Sequence, residues 1–195
     1  GEDKWTPSKL FKRIPVNQSI KFTTRQFANA SWKQGGRFYG GWWQRIPSEH
    51  RPDIRINNTP TIEVDYSGHH PVLLYAAVAH INYWSEIGGD VYDIPKADFF
   101  RSNLDLKGKA RKAANRQCLK YLVLMLINAK SEEDAFGGFR QRIREQHPDW
   151  WQETTDGRGI NWSNDDLHQI TNLIKEKHAP IADHFGSNAG VKLQY

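Results

Sequence analysis

KARKAANRQCLKYLVLMLINA, residues 109–129, is the longest regular pattern in this chain of 195 residues. Its apolar residues recur at intervals of three and four, which predicts an amphipathic helix rather than a strand. The apolar stripe comprises Ala110, Ala113, Ala114, Tyr121, Leu122, Met125 and Leu126. Lys and Arg residues crowd the first half of the same segment. The fold is therefore expected to contain a long helix with an apolar stripe and a basic side.

Other segments place this helix in a mixed fold. Further helices are predicted over residues 20–31, from Leu73 until Gly88-Gly89 stops the pattern, over 131–147 and over 163–178. Residues 35–41 are too rich in glycine for a helix and predict an aromatic turn. Strands are few, and residues 55–65 predict a hairpin that turns at Asn57-Asn58. The predicted fold class is α+β and helix-dominated.

Composition restricts the partners and the compartment. The formal net charge is +5 and the pI about 9.3, which favours polyanionic partners such as nucleic acid. The single cysteine, Cys118, excludes an internal disulfide and a cysteine-based zinc site, and we expect it to be a small buried residue. No apolar run reaches the ~20 residues that span a bilayer, so no membrane partner is expected. We expect a cytoplasmic protein of bacterial or phage origin.

Asp65 is the first residue whose side chain predicts chemistry. It follows the β-branched residues Ile62 and Val64 at the expected end of a strand, where a carboxylate is held rigidly and stays open to ligand. Phosphoryl-transfer enzymes use such carboxylates to hold Mg²⁺, which prefers oxygen ligands. Asp65 could instead begin an Asx turn before Gly68, and its spacing alone leaves both interpretations open.

The basic side of the 109–129 helix is the second such feature. Arg116 and Lys120 are four residues apart, so their side chains leave the same face of the helix. A phosphate chain laid along that face would relieve the repulsion between them. A solvated basic surface without a ligand is the alternative.

Together these segments resemble the polymerase core shared by family A DNA polymerases and the single-subunit RNA polymerases of phages and mitochondria. Asp65-Tyr66-Ser67 is similar to the Asp-Tyr-Ser of the first palm motif. Arg116 and Lys120 are similar to the Arg-xxx-Lys of the fingers helix, in the family's order. Asn128 lies at the family's spacing beyond them, where the family has tyrosine.

Two further segments resemble the RNA polymerases of that superfamily. Gly36-Arg37-Phe38-Tyr39 is similar to a Gly-Arg-x-Tyr motif on the template side. FGGFRQ, residues 136–141, is similar to a Gly-Phe-Arg-Gln stretch that follows the fingers helix. The resemblance covers roughly residues 35–142.

The resemblance implies a template-directed nucleotidyltransferase, a DNA or RNA polymerase that acts on primer-template and nucleoside triphosphates. Asp65 would be catalytic and would hold Mg²⁺ or Mn²⁺ for two-metal phosphoryl transfer. It assigns nucleotide binding to Arg116, Lys120, His70 and Asn128, and template binding to Arg37, Tyr39 and Arg140. His70 stands where the DNA polymerases have the glutamate that blocks ribonucleotides, so the choice of sugar stays open.

The resemblance also implies a domain plan. Residues 1–34 would be an arm with a short helix, 35–100 a palm-like segment with short antiparallel strands, and 101–195 helical fingers. The family's third motif, a His-Asp pair whose aspartate is the second metal ligand, does not occur in this sequence. We therefore expect a truncated palm that a missing carboxyl-terminal segment or a second chain completes, and no activity from this chain alone.

Two other classes of function compete with this one. A non-catalytic nucleic-acid-binding module would use the same basic helix, and Trp42-Trp43 and Trp150-Trp151 could stack on bases or pack inside the protein. A structural interaction protein, for example a degenerate polymerase-like accessory protein of a phage or mobile element, would have no salt-dependent affinity for primer-template.

Overall fold

The chain divides between Asp65 and Tyr66 into two units. The structure is a computed structural model and describes residues 17, 19–27, 32, 36–101, 106–151 and 162–188. Helices account for 57% of these residues, beside two small antiparallel sheets. The predicted helix-dominated α+β class is confirmed at this level. The boundary between the units falls inside the segment predicted to be palm-like.

The first sheet of unit one pairs β1 (Thr24–Phe27) with β2 (Gly36–Tyr39). Thr24 lies opposite Tyr39 and Phe27 opposite Gly36. A Cβ on Gly36 would lie 2.6 Å from the carbonyl oxygen of Gln26, so this close approach requires glycine. The predictions of a helix over 20–31 and of a turn over 35–41 are therefore wrong where the strands lie. Their pairing is non-local, and local periodicity does not report it.

The second sheet of unit one is the predicted hairpin, in a shorter form. β3 (Arg55–Ile56) pairs with β4 (Thr59–Pro60) across Asn57 and Asn58, whose φ angles are 50° and 64°. Asparagine tolerates this left-handed conformation, and the turn is confirmed. The strand does not continue to Asp65, because residues 61–66 have no regular secondary structure. Pro60 has no N–H with which to extend the ladder.

The helical core belongs to unit two. Its helices are α1 (His69–Leu74), α2 (Gly108–Asn128), α3 (Glu132–Gln146) and α4 (Asn164–Lys177). The helix predicted over 109–129 is confirmed as α2, although Ala110 and Ala113 are exposed. The fully buried side chains of α2 include Cys118, Leu122, Val123, Leu126 and Ile127. The core is completed by Phe136, Phe139 and Ile143 of α3 and by Leu167 and Ile174 of α4.

Side-chain caps start the last two of these helices where the sequence predicts. The hydroxyl of Ser131 accepts the backbone N–H of Asp134 at 3.1 Å. At α4, Ser163 accepts from the N–H of Asp166, and the Asp166 carboxylate accepts from the N–H of Ser163, which completes a capping box. Both helices are confirmed within two residues at each end.

The helix predicted from Leu73 to Gly88-Gly89 is interrupted. α1 passes into a π-helical turn at Tyr75–Ala79, His80 adopts a left-handed φ of 55°, and a second π-helical turn covers Tyr83–Ile87. In one continuous helix Tyr75 and Tyr83 would stand about 12 Å apart along the axis. The break brings their ring centroids to 5.1 Å, so both rings enter the same core.

His178, just after α4, joins the end of unit two to its beginning. It is buried, and its Nε2 lies 2.9 Å from the carbonyl oxygen of Val91 and its Nδ1 3.0 Å from the hydroxyl of Tyr75. With Nε2–H donating to the carbonyl, Nδ1 accepts from the phenol. Burial lowers the pKa of His178 to about 4 and raises the pKa of Tyr75 to about 12. Both groups are therefore neutral at pH 7.

Candidate nucleic-acid interface

Positive charge and exposed aromatic rings are concentrated in unit one. Residues 1–65 contain eleven Lys and Arg against six Asp and Glu, whereas residues 66–195 contain sixteen of each kind. The formal +5 of the chain therefore lies in unit one. The exposed aromatic residues of this unit include Phe22, Trp32, Phe38, Tyr39 and Trp43.

A cleft of about 600 Å³ lies beside β2 in unit one. Three aromatic side chains line it, with Phe38 exposed by 57%, Tyr39 by 43% and Trp43 by 39%. The charged residues among its lining are Arg37, Arg51 and Glu63. Two of the predicted template-binding residues, Arg37 and Tyr39, are thus brought together in one cleft.

The turn after β2 sets the position of the aromatic side chains. Gly40 adopts a φ of 114°, and its N–H donates to Oε1 of Gln44 at 3.0 Å. Nε2 of Gln44 donates in return to the carbonyl oxygen of Phe38 at 2.8 Å. Trp42 and Trp43 begin a 3₁₀ helix (Trp42–Arg45), and their ring centroids are 6.0 Å apart. The amide of Gln44 therefore fixes the wall of the cleft and is itself satisfied.

An ion pair adds polar groups to the same cleft. Arg51 lies in the second 3₁₀ helix (Ser48–Asp53), and its Nε donates to the carbonyl oxygen of Ile46 at 3.2 Å. Its Nη1 donates to Oε1 of Glu63 at 2.6 Å. The hydroxyl and the backbone N–H of Thr61 both donate to the carbonyl oxygen of Ile54. The guanidinium and the carboxylate are therefore held side by side in the lining of the cleft.

Asp65 is exposed and is the last residue of unit one. Within the described ranges, no group of three His, Cys, Asp or Glu side chains is arranged to hold a metal ion. Mg²⁺ and Mn²⁺ prefer several oxygen ligands in a defined geometry, and one exposed carboxylate does not supply them. The residues that the structure describes therefore do not fit a two-metal centre at Asp65.

Arg116 in α2 is paired with a carboxylate of its own unit. Its Nη2 lies 3.0 Å from Oδ1 of Asp90, its Nε donates to the other oxygen, and its guanidinium lies 5.3 Å from the ring centroid of Tyr92. Desolvation acts to raise the pKa of Asp90, but the hydrogen bonds from Arg116 and from the N–H of Tyr92 leave that pKa below its usual value. The pair stays ionised near pH 7, and the charge of Arg116 is neutralised locally.

The rest of the basic side of α2 is partly neutralised in the same way. Arg111 forms an ion pair with Asp98. Lys112 and Lys120 are exposed. The repulsion expected between Arg116 and Lys120 is therefore offset within the protein, and a phosphate is not required to relieve it.

The remaining predicted site residues make contacts inside unit two. Nδ2 of Asn128 donates to the carbonyl oxygen of Leu124 at 2.7 Å. Arg140 donates from Nε to the carbonyl oxygen of Trp162 at 2.8 Å and from Nη2 to Asn164 at 2.5 Å. His70 is half-buried, with its ring centroid 5.6 Å from that of His69. Asn128 thus bonds within α2, whereas Arg140 joins α3 to the segment that begins α4.

No local pattern in the sequence predicts the roles of Asp90, Arg51 and Glu63, the three side chains whose ion pairs are described above. Asp90 follows Gly88-Gly89 and pairs with a residue 26 positions later. The pairing of Arg51 with Glu63 crosses the whole β3–β4 hairpin. A search for opposite charges on either side of a predicted hairpin could have suggested that second pair.

Comparison of the chain with models of protein families, with curated proteins and with solved structures gives no match. No helix among the described residues is long and apolar enough to cross a membrane.

Proposed function

We propose that the chain binds single-stranded nucleic acid, such as a template strand, through the cleft of unit one. One observation carries the proposal: Arg37, Phe38, Tyr39 and Trp43 line the same open cleft in the unit that holds the whole net positive charge. Proteins that bind single strands without sequence preference use cationic side chains for the backbone and aromatic side chains for the bases.

The exposure of these side chains to water lowers what they contribute to the stability of the fold. Aromatic rings left 39% to 57% exposed forgo burial that would stabilise the fold. Unpaired bases offer flat faces that cover such rings, and each stacked base contributes about 1–3 kcal/mol. Arg37, beside the rings, can neutralise a backbone phosphate and release its counterion.

A matched pair of tryptophan variants tests the proposal. Binding of labelled single-stranded DNA and RNA of about twelve nucleotides is measured by fluorescence anisotropy. Trp43→Ala should weaken binding by about tenfold or more, because it removes a stacking platform. Trp84→Ala, an exposed tryptophan of unit two, should stay within about twofold. Absence of salt-dependent binding by the unmodified chain would refute the proposal.

Templated nucleotide addition is the second candidate, and a longer protein would be needed for it. It is favoured by the resemblance of Asp65-Tyr66-Ser67 and Lys120 to polymerase motifs, together with the exposure of Asp65 and Lys120. In a longer protein that supplied the further metal ligands, Asp65→Ala should abolish Mg²⁺-dependent primer extension while Asp53→Ala, an exposed acid of the same unit, leaves it unchanged. Undiminished extension by Asp65→Ala, or synthesis by residues 1–195 alone, would contradict this assignment.

A further inference from the structure

Glu63 is the carboxylate among the residues that line the cleft of unit one. One of its oxygens accepts from Arg51 at 2.6 Å, and no described residue bonds to the other oxygen. Because each carboxylate oxygen has two lone pairs, both oxygens can accept further donors. A negative group is unfavourable for backbone phosphates, so its place beside stacking rings needs a different explanation.

The pair of Arg51 and Glu63 presents a donor next to two acceptors. The amide of Gln44 and the hydroxyl of Thr61, which also line the cleft, are already bonded to backbone groups. Besides Arg37 and the hydroxyl of Tyr39, the side-chain groups of the cleft that can read a base are therefore a guanidinium N–H of Arg51 and the two carboxylate oxygens of Glu63. Single-stranded bases that stack on aromatic side chains are read by hydrogen bonds along their Watson–Crick and Hoogsteen edges. A carboxylate needs donors, and the Hoogsteen edge of guanine has none, so the Watson–Crick edge is the one that fits.

We propose that Arg51 and Glu63 make the cleft selective for guanine. Guanine is the base whose Watson–Crick edge places one acceptor, O6, beside two adjacent donors, N1–H and the N2 amino group. Arg51 donates to O6, and the two oxygens of Glu63 accept from N1–H and N2–H. Cytosine and adenine offer one amino donor next to a ring acceptor, and thymine or uracil offers one donor between two acceptors, which face the carboxylate unfavourably.

This inference rests on the proposed binding of single strands and specifies which base the cleft takes. The test uses the whole chain and a labelled oligothymidylate of about twelve nucleotides in which one central base is varied. A central guanine should bind about tenfold more tightly than cytosine, adenine or thymine, as one good bidentate contact discriminates. Hypoxanthine, which lacks the N2 amino group, should lose most of that preference, and 7-deazaguanine, which keeps the whole edge, should retain it.

Two variants assign the preference to the carboxylate. Glu63→Gln keeps an oxygen for Arg51 but removes the second acceptor, so the guanine preference should fall to about twofold or less. Glu49→Gln changes an exposed acid of the same unit outside the cleft and should keep the preference. Equal binding of all central bases by the unmodified chain would overturn guanine selection while leaving strand binding intact. A preference that survives Glu63→Gln would overturn the role of Glu63, and absence of binding to every oligonucleotide would overturn both proposals.

Discussion

The two units of the chain use aromatic side chains in opposite ways. In unit two Phe99, Phe139 and Trp162 pack against one another with ring centroids 5.4 to 5.8 Å apart, and each is almost completely buried. In unit one Phe38 and Trp43 stay exposed beside arginines. The charges follow the same division, because unit two is balanced and unit one carries the whole net charge.

The contrast suggests different roles for the two sets of rings, stabilisation of the fold in unit two and binding of a partner in unit one. Rings that bury their surface stabilise the helical core, and their neighbours are apolar. Rings that stay partly exposed contribute less to the stability of the fold, and their exposed faces are available to a partner. We expect substitutions in unit two to change the free energy of unfolding, and substitutions in the cleft of unit one to change affinity for nucleic acid.

The largest effect is expected on the free energy of unfolding, when a phenylalanine of each unit is replaced by alanine in separate variants. Phe139→Ala should lower the free energy of unfolding by about 3–5 kcal/mol, because it leaves a cavity between Phe99 and Trp162. Phe38→Ala should change it by less than about 0.5 kcal/mol, since most of that ring is exposed. Denaturant unfolding followed by tryptophan fluorescence measures both values. The contrast between the units would fail if Phe38→Ala were as destabilising as Phe139→Ala.

The next effect concerns acid stability, through His178. Because burial lowers its pKa to about 4, the folded state resists protonation that the unfolded chain accepts below about pH 6.5. The stability that His178 contributes is present above pH 6.5 and is lost as the pH falls towards 4, by roughly 3 kcal/mol in total. Denaturant midpoints measured from pH 7 to 4 should show this slope.

Matched histidine variants identify the group responsible for that slope. His178→Gln should remove most of the slope between pH 6.5 and about 4.5, because among the described residues only His147, whose pKa burial also lowers, still contributes there. Asp90, Asp98 and Glu132, whose pKa values are lowered, take up protons below that range. His80→Gln changes an exposed ring and should keep the slope. A slope that persists in His178→Gln would assign the acid sensitivity to another group.

The smallest effect is expected in the salt dependence of binding. Arg37→Gln should reduce the slope of log K against log salt by about one, because it removes one phosphate contact. Lys120→Gln removes an exposed cation from α2 and should leave the slope unchanged if strands bind only unit one. Anisotropy titrations at several salt concentrations compare the two. Equal reductions would show that the basic side of α2 shares in binding.

Local sequence patterns predicted α2, α3 and α4 of unit two, but not the interruption that follows α1. Spacings of three and four located α2, and Ser131 and Ser163 marked the starts of α3 and α4 because capping is a contact between near neighbours. The same approach failed for β1 and β2. These two strands pair with each other across about a dozen residues of sequence, and nothing in either strand alone specifies that pairing.

The candidate site was predictable only in part, for the same reason. Arg37 and Tyr39 were named from their motif, and both line the cleft. The pairing of Arg116 with Asp90 is a tertiary contact, so a basic helix face looked more charged in the sequence than it is in the fold. The polymerase assignment itself remains a prediction.

The contacts of His178 have a consequence for how unit two is made on the ribosome. Its bonds reach back 103 residues to Tyr75 and 87 residues to Val91. A nascent chain cannot form either of these two hydrogen bonds until residue 178 has been translated and has left the exit tunnel. Contacts this distant in sequence slow folding, because loop closure precedes the favourable contact. Tyr75, at the start of the π-helical turn that follows α1, therefore stays without this partner until the residue after α4 has been synthesised. Unit two is open to chaperone binding during that interval.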